Sequence, residues 1–259
     1  VKLYVNDVLQ KYELKHPLDV RGLVNILGFD VKYVDTGGSD AYTIIVGGKK
    51  LILLNKNMML KERINFTLAH ELGHYFIPDH LEPLYKCNVN ELISTKNLNN
   101  NDKEREADLF ASELLMPTQF IKKSSDVNSL EDIINTARHY NVSIPAAAIK
   151  IIEHTEDVVC FVYCVKNIIK WFVASEDFNN YIKLKDIVRT SAPEHSSLNI
   201  CKETYQRIIN NRVPAYIWID EVESDIFVEE EVVYYPEYET GYILIKADNL
   251  INYDEDLFY

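Results

Sequence analysis

The run Phe66-Thr67-Leu68-Ala69-His70-Glu71-Leu72-Gly73-His74 holds two histidines four residues apart, with a glutamate directly after the first. On a helix, that spacing puts both imidazoles on one face, where they can share a metal ion. Glu71 then lies about 100° round the axis, close enough to hold a water at the metal without being a ligand. Zinc suits such a set, because it takes imidazole nitrogen and carboxylate oxygen in a tetrahedron that leaves one position open. The chemistry on offer is hydrolysis: zinc makes water acidic near neutral pH, and a carboxylate takes the proton and hands it on.

A third ligand must come from elsewhere, and the sequence offers several. His80 follows His74 at the metzincin spacing, but that pattern needs glycine at position 77, where this chain has Ile77 followed by Pro78. Cys87 would be an unusual sulfur ligand in a His/Glu site. The acids of Lys103-Glu104-Arg105-Glu106-Ala107-Asp108 sit in a helical stretch whose apolar stripe is Ala107, Phe110, Ala111 and Leu114. Glu106, one turn before Phe110, is the expected ligand. Glu104 and Asp108 lie about 200° away from it, where they would face solvent or hydrogen-bond to a ligand histidine, and Glu104 and His80 stay as the alternative third ligands. An oxyanion stabiliser could be His80, Tyr75, Tyr85, His139 or Tyr140, and spacing does not rank them.

The elements that must hold these residues can be read from periodicity. Val1 to Leu27 reads as two helical pieces broken at Pro17, with Asp19 capping the second. Three strands follow: Phe29 to Val34, Tyr42 to Val46 and Lys50 to Leu54, the last two joined by Gly47-Gly48. The metal helix runs from Leu60 to Phe76. Gly73 costs that helix about 1 kcal/mol against alanine, which is explained if something approaches its backbone there. Leu81 to Asn101 is Asn-rich and reads as a long loop, and Asp102 to Leu115 as a second helix.

Ser129 to Ile152 reads as two short helices joined at Tyr140-Asn141-Val142-Ser143, a helix-turn-helix in outline. The second has few base-reading side chains, so packing is its expected role. From Asp157 the texture becomes strand-rich. A hairpin is expected over Val158 to Val165 and Ile168 to Ala174, then strands at Tyr216 to Ile219, Ile226 to Tyr235 and Gly241 to Ile245, with a helix at Leu198 to Asn210. Trp171-Phe172 and Trp218 are expected in the core.

The two separated motifs, Phe66 to His74 and Glu104 to Pro117, together resemble the ImmA/IrrE metallopeptidases, intracellular zincins of bacteria, phages and mobile elements. The strand ending at Asn55 and the segment Tyr140 to Ala147 are similar to the family's flanking elements. The resemblance covers about residues 1 to 155. It implies an α+β, zincin-like domain over residues 1–120 and a helical segment over 121–156 packed on it. It also implies zinc held by His70, His74 and Glu106, Glu71 as general base, and peptide-bond hydrolysis. The implied substrate is a helix-turn-helix transcriptional repressor, cut to derepress mobile-element or stress genes. The implied edge for an extended substrate is Lys49 to Asn55. Residues 157–259 would form a second α+β domain, regulatory or GAF-like.

Composition narrows the alternatives. The 259 residues suffice for one large domain or two smaller ones. The net charge of −13 argues against binding nucleic acid or anionic lipid through a basic surface. Between Pro214 and Tyr259 stand thirteen acids and one base, Lys246, so nearly all of that charge is C-terminal. Such a patch could draw in a basic DNA-binding domain or serve only solubility. No apolar run approaches the length of a membrane span, and Val1 to Leu9 has no signal-peptide core, so a cytoplasmic protein with no membrane partner is expected. The four cysteines match no zinc knuckle and read as free thiols. The rival readings are a module that holds a repressor or toxin without cutting it, a zinc hydrolase acting on a non-peptide bond, and a secreted zincin.

Overall fold

A computed structural model describes residues 1–78, 80, 101–121, 129–204 and 208–251. The expected Asn-rich loop, Tyr85 and Cys87 lie outside them. The chain is mixed α+β with two sheets. It divides into two compact units, one of Val1–Phe120 with Ala137–Ser143, the other of Ile121–Thr136 with the chain from Ile144 onward. The segment Ile144–Ile152 therefore groups with the second unit, whereas the sequence reading packs it on the first. None of the described helices is long and apolar enough to cross a membrane.

The first unit begins with helices α1 (Lys2–Lys11) and α2 (Val20–Ile26). Asp19 caps α2 as expected, its carboxylate accepting from the Gly22 N–H at 3.0 Å. Strands β1 (Phe29–Val34), β2 (Ala41–Val46) and β3 (Lys49–Asn55) form a sheet in the order β1-β3-β2, with β1 parallel and β2 antiparallel to β3. Central β3 buries Ile52 and Leu54 completely. The expectation that Lys49 to Asn55 is an open edge is thus overturned. Strand β1, which precedes the β2–β3 hairpin in the chain, pairs parallel to β3 on the side away from β2, so among the described residues the free edges are β1 and β2.

Helix α3 (Lys61–Phe76) carries the histidine motif and packs on α4 (Asn101–Leu115). Both contribute fully buried stripes, Leu68, Ala69 and Leu72 from α3 and Ala107, Phe110, Ala111 and Leu114 from α4. The crossing point is Gly73. A Cβ there would stand 3.0 Å from the Ala107 Cα and 3.2 Å from the Ala107 carbonyl oxygen, so the backbone approach expected at this glycine comes from α4. Beyond α4, the chain turns at Met116-Pro117. Buried Glu113 closes that turn by accepting from the Thr118 N–H at 2.9 Å and the Thr118 hydroxyl at 2.7 Å.

After a short helix α5 (Thr118–Ile121) come α6 (Leu130–Tyr140) and α7 (Ile144–Ile152). The helix α7 buries Ala147, Ala148, Ile151 and Ile152 and packs against the second sheet, a packing role as expected. That sheet contains β4 (Val159–Val165), β5 (Ile168–Ala174), β6 (Ile209–Pro214), β7 (Phe227–Tyr235) and β8 (Thr240–Lys246). Its order is β5-β4-β8-β7-β6, antiparallel throughout.

Helices α8 (Glu176–Tyr181) and α9 (Ser197–Thr204) follow β5 in the chain, and α9 packs on β6 and β7. Three readings change here. The helix expected to reach Asn210 is described over Ser197–Thr204, and Ile209–Pro214 is an edge strand. The strand expected at Tyr216 to Ile219 is instead a 3-10 turn over Ala215–Ile217. Trp218 is fully buried as expected, but Trp171 is only half-buried and Phe172 is exposed on the sheet's outer strand. Cys160, Cys164 and Cys201 are buried free thiols, and burial pushes each of them up from the usual thiol range.

The acidic C-terminal stretch is less of a patch than its composition implies. Glu230 is completely buried and Glu231 nearly so. The Glu230 carboxylate accepts from the Ser196 hydroxyl (2.9 Å), the Trp218 indole N–H (2.8 Å) and the Ser197 N–H (2.6 Å) at the start of α9. Glu231 accepts from the Leu130 N–H at 2.6 Å and pairs with Lys246. Of the three consecutive acids, only Glu229 faces solvent.

Candidate metal centre

His70 and His74 project from the same side of α3, one turn apart, with their Nε2 atoms 3.0 Å from each other. Glu104 reaches them from the first turns of α4, one carboxylate oxygen 3.2 Å from His70 Nε2 and the other 3.6 Å from His74 Nε2. These three residues are the one group of metal-competent side chains that converges among the described residues.

The third acid therefore departs from the sequence reading. Glu106 points elsewhere, its Oε2 lying 2.8 Å from His80 Nε2. The reason is helical geometry. Glu104, Asp108 and buried Ala111 share one ridge of α4, while Glu106 and buried Phe110 share another. Both ridges border the buried stripe, so both are compatible with the apolar pattern. The close crossing of Gly73 on Ala107 turns the Glu104 ridge toward the histidines.

Outer partners fix the histidines. His70 Nδ1 is 2.8 Å from an Asp108 carboxylate oxygen, the histidine contact foreseen for that acid. His74 Nδ1 is 3.2 Å from His80 Nδ1. His80 is brought there by the end of α3. Ile77 is buried in extended conformation, and the His80 N–H returns to the Ile77 carbonyl oxygen at 3.4 Å. With both ring nitrogens engaged behind His74, His80 is available neither as third ligand nor as oxyanion donor. Tyr75 is likewise committed, its hydroxyl taking a 2.8 Å hydrogen bond from Lys50 Nζ. The Tyr140 and His139 rings pack on each other, and Tyr140 packs on His16.

The electrostatics follow the burial. Glu71 is only 7% exposed, and burial lifts its carboxyl above the usual range, against the pull of the Thr43 hydroxyl and N–H on β2. Burial, helped by His70 and His80 nearby, pushes His74 down to about 4. For His70, burial pulls the same way, but the hydrogen bonds to Glu104 and Asp108 outweigh it and leave it raised.

The donor set fits a divalent cation. A carboxylate only accepts hydrogen bonds. Asp108 therefore takes the proton on His70 Nδ1, and in the neutral ring the Nε2 lone pair faces inward. That nitrogen, His74 Nε2 and the Glu104 carboxylate together offer three ligand atoms to one cation. The His70–His74 separation of 3.0 Å and the His70–Glu104 separation of 3.2 Å lie close to the edge of about 3.3 Å expected for a tetrahedron with metal–ligand bonds near 2.0 Å.

Residues 24–151 match the family model described as the IrrE N-terminal-like domain. A 74-residue stretch, 29% of the chain, is 32% identical to the metallopeptidase ImmA of Bacillus subtilis (strain 168), and the match spans 38% of that relative's length. Among solved structures, a transcriptional regulator of Mycobacterium tuberculosis superposes with a TM-score of 0.59 at 10% identity. That superposition covers 95% of this chain and 75% of the regulator, a likeness of fold.

Proposed function

Over residues 24–151 the chain belongs to the ImmA/IrrE family, and from that premise we propose that it is a zinc-dependent endopeptidase with its metal held by His70, His74 and Glu104. The observation that carries this reading is the convergence of two imidazole Nε2 atoms and one carboxylate on one spot. Zinc bound there would supply Lewis acidity toward water and toward a scissile carbonyl. Glu71 is the general base. It stands beside His70 on the buried side of α3, and its raised pKa suits a carboxylate that must take a proton and then give it to the leaving amine.

Asp108 holds the His70 ring so that its Nε2 stays a lone-pair donor. The neighbouring open edge is β2, which carries Thr43 against Glu71, so an extended peptide is proposed to lie along β2. The substrate proposed is a helix-turn-helix transcriptional repressor encoded nearby, and the second unit is proposed to regulate access or recognise that partner.

The test uses the full chain with the repressor from a neighbouring gene, followed by mass spectrometry. Wild type is expected to yield fragments. Glu71→Gln should retain stoichiometric zinc and cut about 10²- to 10⁴-fold more slowly. Glu104→Ala should lose zinc, with Glu106→Ala losing far less. An intact complex without fragments would instead support the non-cleaving binding module, and a zinc-free wild type would overturn the metal reading.

A further inference from the structure

We infer that His80 is a positioning residue that sets the tautomer and ring orientation of His74 by passing its hydrogen bond on to Glu106. The inference rests on the proposed metal reading. The His80 side chain is 2% exposed, and both its ring nitrogens are occupied: Nδ1 lies 3.2 Å from His74 Nδ1 and Nε2 lies 2.8 Å from Glu106 Oε2.

Two nitrogens that face each other must be one donor and one acceptor, and the chain of contacts decides which. An ionised carboxylate accepts only, so the proton on a neutral His80 sits at Nε2, donated to Glu106. His80 Nδ1 is then a lone pair, and His74 Nδ1 must be the donor. That leaves the His74 Nε2 lone pair aimed at His70 Nε2 and Glu104, as a metal ligand requires.

His70 is served in the same way with one link fewer, because Asp108 accepts directly from its Nδ1. Asp108 and Glu106 lie on opposite flanks of the α4 stripe, about 200° apart round the helix. One carboxylate thus reaches its histidine unaided, and the other needs an imidazole to span the gap. The turn at Ile77 and Pro78 supplies that imidazole. Zinc-ligating histidines commonly donate their second nitrogen to such a partner, and its loss costs about 10- to 100-fold in metal affinity.

The test combines two readouts on the full chain. The first is nitrogen-15 NMR of the imidazoles in metal-free protein at pH 7.5. Wild type should carry the His74 proton on Nδ1, while His80→Leu and Glu106→Leu should give a mixture of tautomers at His74 and leave His70 unchanged. The second is zinc affinity by competition with a chelator. His80→Leu should bind zinc about 10- to 100-fold more weakly. His80→Asn, which keeps an acceptor beside His74 Nδ1, should recover most of that loss.

A wild-type His74 protonated at Nε2 would overturn the inference, as would a His80→Leu variant with unchanged tautomer and affinity. Should His80→Leu fail to fold, Glu106→Leu decides the matter, because Glu106 is exposed and its change leaves the core intact. A wild type that binds no zinc would refute the metal reading alone, since the tautomer measurement needs no metal.

Discussion

The two units each gather buried or half-buried polar groups around a carboxylate, and they do so in opposite senses. In the second unit, Glu230 is fully enclosed and meets three donors, so the negative charge is answered within the protein. In the first unit, Glu104 meets two imidazole nitrogens whose opposite ring nitrogens are taken up by Asp108 and His80, so three potential metal ligands converge. A closed cluster stabilises the fold that contains it, because desolvated charge is costly unless hydrogen-bonded. An open cluster stores a demand for a cation, and its stability depends on what binds.

Zinc itself is the sharpest probe of that contrast. At a thousandfold excess over Kd, a ligand specific for the folded state adds about 4 kcal/mol of stability. Hydrogen exchange should therefore slow for amides of α3 and α4 when zinc is added, and a chelator should reverse the change. No gain in α3 and α4 would break the contrast at its open end.

The closed end is broken by Glu230→Ala. Removing the carboxylate strands the Trp218 indole N–H and the Ser197 N–H in the core, at a cost of about 3 kcal/mol. Trp171 and Trp218, the chain's two tryptophans, both lie in the second unit, so urea unfolding followed by tryptophan fluorescence reports on that unit. The expected outcome is a clear loss of stability with an unchanged zinc titration. A variant as stable as wild type would mean that Glu230 is not the strut it resembles.

What could be read in advance divides along the same line. His70, Glu71 and His74 announce themselves because one helical turn fixes their relation, and Gly73 announces a close approach because its cost needs a cause. The choice between Glu104 and Glu106 lies beyond local pattern. Both flank the apolar stripe, and only the angle at which α4 crosses α3 selects a ridge.

The order β1-β3-β2 is similarly non-local, since hairpin reasoning sees β2 beside β3 but not the parallel pairing of β3 with the earlier strand β1. In the second unit, Ile209–Pro214 reads poorly as a strand because it is an edge with two asparagines and a proline. The run of acids at Glu229 to Glu231 looked like surface because sequence carries no sign of the indole, hydroxyl and backbone donors that converge on Glu230.

A half-buried histidine gives the finest test. His16 sits in the first unit and donates from Nε2 to the Leu114 carbonyl oxygen at 2.9 Å, a donor matched to an acceptor as at Glu230. Burial lowers its pKa, His139 nearby adds to that, and the hydrogen bond to Leu114 opposes both. The folded state thus holds the neutral ring, whereas the unfolded chain takes up a proton near pH 6.5. The associated stability is fully present above that pH and is lost as pH falls through 6.5 toward the lowered folded value.

His16→Gln keeps a donor for Leu114 and removes the titration. The stability difference between wild type and His16→Gln should be flat above about pH 7.5 and should shift in favour of the variant as the pH falls below about 6.5. Taking the difference cancels the His70 and His74 contributions common to both proteins. A difference that stays flat, or that shifts toward wild type in acid, would show that His16 is not held neutral. The contrast between closed and open clusters would then fail for histidine within the first unit itself.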